Sequence, residues 1–570
     1  MKPYILILSS LLIAFSAWAN PKYDAAYHLI SKSYTINEDG SMDYHFRKEL
    51  QVFTSSAFDA YGETLIPYNT ELQTLTINEA YTIRKDGSVV QTPKNAFNPS
   101  LPYGCTNCER FNVIREMVVT HTALEYDATI VLDYTIHSTQ PFLQELMERV
   151  DLYEDAPIDK YEVSVSFPHF LTLNSFVNYH GKNMTQTKTE KADSTVVMQW
   201  TFTNLPQKPH DAYLPSDYLP YLLLTTASSP SYFMEELSYQ NAFLDAPADL
   251  FKETLPQILL GKNTNMEKML AIRDYVADNV HTNTLPIRYM NYIMASPYTI
   301  WQSNCATAFE KNLLLKSMLN AAGIGSMFGI FYNKMMSDPE SALRVIVDGK
   351  MYFVTAASKH QLSLEKTMTP DSFLAMSGDV YKFVSEPINI DVDVNVDMVR
   401  TPEGVSGTVN VNRENVGAAG NERMLPKEQK PVSVVPRPLS GKYSAFKLVD
   451  SPYGCNLKAS NISRTRTAPL EVTPCSETYI YHVTLPIDVD CVTKPYSIEK
   501  TYDFGSVKMN MEVQGDKVTV TRQLNINVRH FTDKKQIRQL REMIGEWNAE
   551  REIVVAKNNK PHEIPAIYDL

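Results

Sequence analysis

A chain of 570 residues is too long for one hydrophobic core and implies roughly three domains. Its 44% hydrophobic content and 33 tyrosines fit a globular chain rich in β-structure. A formal charge of −12 argues against nucleic acid or anionic lipid as the main partner.

Residues 1–19 carry one lysine, an apolar run from Ile5 to Phe15, and Ala17-Trp18-Ala19 ahead of Asn20. This is the pattern of a cleaved secretory signal, so an exported protein, periplasmic or extracellular, is expected. No later stretch approaches about 18 consecutive apolar residues, and no transmembrane segment is expected. From Tyr23 to about Met234 the pattern is strand after strand. Runs at 34–37 and 42–46 flank Asp39-Gly40, and 72–84 turns through Asp86-Gly87 into 89–91. Residues 113–120, 129–136, 161–167 and 196–202 alternate apolar with polar side chains. Such strands, separated by turn signals, predict an N-terminal β-sandwich over 20–235. The stretch 205–230, rich in Pro, Ser and Tyr, reads as an extended linker.

The next domain spans 236–377. Thr264 with Glu267 forms a capping box that opens a helix carrying Met269, Ile272, Val276 and Val280 on one face. His281 stands at its end, placed to interact with the last carbonyls. Residues 285–301 form an aromatic connection, with Tyr289, Tyr292, Tyr298 and Trp301 offering rings either to line a cleft or, as tyrosines in a connection more often do, simply to pack. The most sharply marked element follows, SNCATAFEKNLLLKSMLNAAG at 303–323. Thr307 and Glu310 make a second capping box, Leu314, Leu315, Met318, Leu319 and Ala322 a wide apolar stripe, and Gly323 a stop. A strand is expected at 327–332, and 344–347 with 351–354 flank the hairpin signal Asp348-Gly349.

Beyond 377 the chain returns to strands, at 388–399, 405–412, 479–485, 506–513 and 517–528. Residues 391–397 alternate Asp or Asn with Val, as a strand with one solvated face does, and lack the glycine turn of a calcium loop. Residues 415–442 read as a long loop. A helix is expected at 533–547, capped by Asp533, with Ile537, Leu540, Met543, Ile544 and Trp547 inward. The domain over 378–570 reads as a β-sandwich or jelly roll.

A buried helix with a cysteine near its start, followed by β-strands, resembles the core of the transglutaminase-like (papain-like) superfamily. In its bacterial secreted branch the helix opens Gly-Asp-Cys-Lys-Asp-Lys and ends in a leucine-rich run with Ala-Gly-Ile. Glu310-Lys311 and 313–324 match that frame without a gap. The phrases YTINEDGSMDYHF and EYDATIVLDYTI resemble an uncharacterised β-rich domain that precedes such cores in many bacterial exported proteins. The resemblance implies a central α+β core between two β-domains. It also implies a cysteine nucleophile at the helix N-terminus, where the dipole favours thiolate, then a histidine and an aspartate on successive strands. At those positions this chain has Ala308, Glu340 (on or near the histidine position) and Thr355. No histidine occurs between Thr282 and Lys359. The frame without its chemistry is the pattern of a pseudoenzyme, leaving a cleft that binds a peptide, protein or cell-envelope component.

The alternative is a cysteine protease or amidase that uses Cys305, three residues before Ala308, with His360 or else His281 as base. The chain holds six cysteines. Cys105-Thr-Asn-Cys108 reads as a local disulfide or a plain loop. Cys455, Cys475 and Cys491 read as one pair plus a leftover, and Cys305 as a free thiol. With no P-loop, dinucleotide fingerprint, HExxH or GxSxG, no cofactor and no metal are expected.

Overall fold

The structure is a computed structural model that describes residues 22–105, 108–139, 143, 145–215, 217–332, 339–356, 372–382, 388–401, 404–418, 421–422, 432–448 and 457–558. The expected signal at 1–19, His360 and Cys455 lie outside the described residues.

The N-terminal part is built on an eight-stranded sheet. Its spatial order is Met184–Glu190, Thr195–Leu205, Ile158–Pro168, Ala25–Ile36, Met42–Val52, Thr129–Ser138, Gln73–Ile83 and Val89–Gln91. The hairpin turns fall where the glycines announced them. Gly40 takes a φ of 82°, and the Asp39 carboxylate accepts bonds from the Ser41 amide (3.0 Å) and hydroxyl (2.7 Å). One face of the sheet buries Leu50, Tyr161, Trp200 and Phe202. The supposed linker at 205–230 instead holds the strand Tyr221–Thr225, centred between Met147–Asp151 and Asn174–Asn178. Its Tyr-Leu-Leu-Leu run is buried throughout, as a strand covered on both faces must be, and Leu222 and Leu224 join the same core.

In the central part, the helices Asn265–Asn279, Pro297–Ser303 and Ala308–Ala321 pack against a five-stranded sheet. Its order is Lys350–Val354, Glu340–Val347, Ser326–Tyr332, Ser372–Ala375 and Val380–Lys382. Asp348 (φ 51°) and Gly349 (φ 77°) both take the left-handed conformation that a tight hairpin turn requires. The helix Ala308–Ala321, hereafter the central helix, is buried nearly all round, Lys311, Asn312 and Ser317 included. Its leucines meet Met269, Ile272 and Val276 of the Asn265–Asn279 helix and Phe328, Ile330, Leu343 and Val345 of the sheet. Each of Leu314, Leu315 and Met318 is fully removed from water, worth about 1.5–3 kcal/mol apiece before conformational entropy is counted.

The C-terminal sheet carries Gly404–Ala418, Ile388–Thr401, Cys475–Thr484, Lys517–Ile526, Gly505–Gln514 and Tyr496–Tyr502 side by side. Val392, Val394 and Val396 face inward from the acidic strand. Asp533 caps the helix Lys534–Trp547, whose Leu540, Met543 and Ile544 are fully buried in the same core. Within 415–442, expected as a long loop, the described residues continue the Gly404–Ala418 strand and add short strands at Asn421–Glu422, Val432–Val434 and Arg437–Pro438, while 419–420 and 423–431 lie outside the described residues. The whole is a β-rich, multidomain β and α+β chain. Among the described residues no helix is long and apolar enough to cross a membrane.

Candidate functional site

The central helix begins where its capping box dictates. Thr307 Oγ1 accepts from the Glu310 amide (3.2 Å), and the Glu310 carboxylate accepts from the Thr307 amide and hydroxyl (2.9 Å each). Ala308 is therefore the first helical residue, and it is exposed. Glu340, also exposed, opens the strand Glu340–Val347, while Thr355 is buried just past Lys350–Val354. Asn312, one helical turn after Ala308, gathers these elements. Its Nδ2 donates to the Ser341 carbonyl (3.0 Å) and Oγ (2.9 Å) and to Thr355 Oγ1 (3.3 Å). Its Oδ1 accepts from the Ala356 amide (2.8 Å), and Ser341 Oγ donates to the Phe309 carbonyl (3.1 Å). The helix start and the facing ends of the two strands thus meet through Asn312, Ser341 and Thr355, while Glu340, one residue before Ser341 on an alternating strand, lies on the opposite face. No thiol and no imidazole stands at Ala308, Glu340 or Thr355.

Cys305 is not a free thiol. It forms a disulfide with Cys108, 197 residues earlier, with the two Cα atoms 5.9 Å apart. That corrects two expectations, a reactive or packed free Cys305 and a local Cys105–Cys108 bridge. The partner lies in another domain, and no spacing in the sequence signals so distant a pairing. Cys105 remains a buried thiol that accepts from Asn283 Nδ2 (3.8 Å), and burial pushes its pKa up. The strand Cys305–Thr307 pairs in parallel with His281–Asn283, which sets His281 opposite Cys305.

His281 is exposed and does not cap the preceding helix. Lys311 does so from the central helix. Its Nζ donates to the carbonyls of Ala277 (3.1 Å) and Val280 (2.8 Å) and to Thr282 Oγ1 (3.0 Å), and burial draws its pKa down to about 8. Glu310 also accepts from the Ala295 amide (2.8 Å) and forms an ion pair with Arg110, which rides on the turn Glu109–Val113 of the N-terminal part. Glu310 and Lys311, the pair that carried the resemblance, are both wholly buried and hold the helix in place.

A cavity of about 380 Å³ lies between the large N-terminal sheet and the aromatic connection. Tyr34, Tyr44 and Tyr134 line it from the sheet, and Arg288, Tyr289 and Tyr292 from the connection. Asn69 Nδ2 closes one side by donating to the Tyr289 carbonyl (3.1 Å). Asn291 (φ 49°) and Tyr292 (φ 58°) are both left-handed, an uncommon conformation for a tyrosine. Trp301 instead packs on Phe251 and Tyr275, and Tyr298 is exposed. None of Ala308, Glu340 and Thr355 lines this cavity. Among the described residues, no group of three or more His, Cys, Asp or Glu is placed to hold a metal ion.

Residues 38–209 match a domain of unknown function with a solved structure, DUF3857, and residues 452–555 match another, DUF3858. Among solved structures, the chain is similar to a "putative protease" from Parabacteroides distasonis ATCC 8503. The two are 25% identical, with a TM-score of 0.75, over 94% of this chain and 99% of that one. A "putative cysteine protease" from Cytophaga hutchinsonii aligns over 51% of this chain and 96% of its own. At 8% identity and a TM-score of 0.21, that alignment carries no argument. No curated protein matches the chain. The two domain matches and the whole-length structural likeness support a transglutaminase-like protein.

Proposed function

We propose that this chain is an exported, non-catalytic binding or scaffolding protein. The exposed surface at the start of its central helix, around Ala308, binds a peptide, a protein segment or a cell-envelope component. One observation carries the reading: an exposed alanine, Ala308, begins the helix where a transglutaminase-like enzyme needs its thiol, and the nearby Cys305 sulfur is already bonded to Cys108. A disulfide-bonded sulfur is not a nucleophile, since the attacking species is the thiolate. A bridge between two domains also supports an oxidising, exported setting.

The second reading is a cysteine protease or amidase working through Cys305. It draws on the place of His281 opposite Cys305 and on the description of the Parabacteroides relative. It requires the bridge to open first.

The test sets wild type beside Cys305→Ala and Ala308→Trp. Peptidase, amidase and transglutaminase assays are expected to show no turnover that Cys305→Ala removes. Capped peptides retained by the immobilised wild type are expected to be lost from Ala308→Trp, whose indole covers that surface. Turnover abolished by Cys305→Ala would overturn the proposal, and so would equal retention by Ala308→Trp.

A further inference from the structure

Three of the cysteines share one apolar cluster, where Cys105, Cys108 and Cys305 pack with Phe111 and Ile114. Only two can be bonded at once, and the third is Cys105, a thiol fully sealed from solvent. Two contacts place it near the bridge. The Cys108 amide donates to the Cys105 carbonyl (3.2 Å). A backbone bond between residues three apart brings their Cα atoms within about 7 Å, close to the roughly 4.4–6.8 Å that a disulfide spans. On the other side, Asn283 Nδ2 reaches Cys105 Sγ at 3.8 Å. Asn283 pairs with Thr307, two residues along the strand from Cys305. That brings Cys105 to the side chain of a residue paired with the short strand that begins at Cys305.

We propose that Cys105, Cys108 and Cys305 form an internal thiol–disulfide exchange site, in which Cys105 displaces Cys305 from Cys108 and converts an inter-domain bridge into a local one. Cys105, having given its proton to solvent, attacks Cys108 Sγ. The Cys105–Cys108 bond forms as the Cys108–Cys305 bond breaks. The electron pair leaves on the Cys305 sulfur, which takes up a proton. One disulfide and one thiol stand on each side, so no oxidant or reductant is consumed.

The environment sets the rate. Burial keeps Cys105 protonated, with Asn283 and Arg115 opposing that and Glu116 reinforcing it, so exchange is slow while the domains stay packed. Loosening the interface exposes the thiol and starts the reaction. After it, the domains lose their covalent tie here, keep the Arg110–Glu310 pair, and carry a Cys305 thiol opposite His281. This state lies beyond the resting protein of the preceding section, and its test does not depend on peptide binding.

The full-length protein is held at about pH 8.5, the ordinary range of a free thiol, then acid-quenched, unfolded, alkylated and digested. The tryptic peptide 95–110 holds both Cys105 and Cys108, so an internal bridge is read directly by mass. Expected is that bridged peptide, in step with alkylated Cys305. In Cys105→Ala, alkylation of Cys305 should fall at least about tenfold, because the displacing thiol is gone. Equal alkylation of Cys305 in that variant overturns the proposal, as does the absence of the bridged peptide from wild type. Cys305→Ala gives an independent readout. With oxidised glutathione, its 95–110 peptide should close internally, and a peptide that stays open shows that the loop cannot make the second bridge.

Discussion

Asn312 sits one turn into the central helix, where a buried polar side chain must satisfy its amide within the protein. It does so by bonding both strands that face the helix start, so one side chain fixes the distance from Ala308 to Ser341 and Thr355. Asn312→Ala should destabilise the protein by about 2–4 kcal/mol, since it strands the buried Ala356 amide and removes the donor that the Ser341 carbonyl and hydroxyl share. A shift of the denaturant midpoint at constant slope would show this, and an unchanged midpoint would refute the role. Thr307 and Glu310 were legible in the sequence because a capping box is a local spacing. Asn312 was not, because its partners lie 29 and 43 residues away and a lone asparagine in a leucine run has no pattern of its own. The Cys108–Cys305 pairing escaped for the same reason, and it overturned the reading of Cys305 as a free thiol.

At the scale of elements, the central helix is tied to its predecessor through Lys311. The pKa of Lys311 falls from 10.5 to about 8 in the fold because burial penalises its charge. The sign follows. Between pH 8 and 10.5 the unfolded chain still binds a proton that the folded chain has released, so this group makes stability rise with pH. Below that window both states are protonated and the penalty is constant. Wild type compared with Lys311→Met should therefore gain stability from pH 8 to 10, by at most about 1.4 kcal/mol per pH unit for one proton. Urea unfolding of both proteins at the two pH values measures it, and parallel behaviour would mean that the amine stays charged. The helices and hairpins themselves were largely readable, because caps, apolar periods and Asp-Gly turns are short-range signals. The strand Tyr221–Thr225 was not, because a strand buried on both faces does not alternate and its neighbouring prolines imitate a linker.

On the scale of the whole molecule, the Glu109–Val113 turn and its flanking cysteine clasp the N-terminal part to the start of the central helix. A covalent bond (Cys108–Cys305), a buried ion pair (Arg110–Glu310) and an apolar cluster act within a few residues of one another. Composition and strand spacing made the sequence of β-rich, α+β and β-rich parts legible, but nothing local announces which surfaces of those parts meet. The clasp gives the assembly a measurable unity. A bridge enclosing 197 residues restricts the unfolded chain by about 5 kcal/mol in the chain-entropy model, an amount shared by both domains it joins. Cys305→Ala removes that restraint while leaving Arg110 on Glu310. Its expected effect in calorimetry is a split of the main unfolding transition, with the component containing the central helix moving to lower temperature. Independent domains obey no single two-state equilibrium, so the split itself reports the lost coupling. If wild type and variant instead melt in the same single transition, the ion pair and the apolar cluster suffice to join the domains, and opening the bridge would leave them docked.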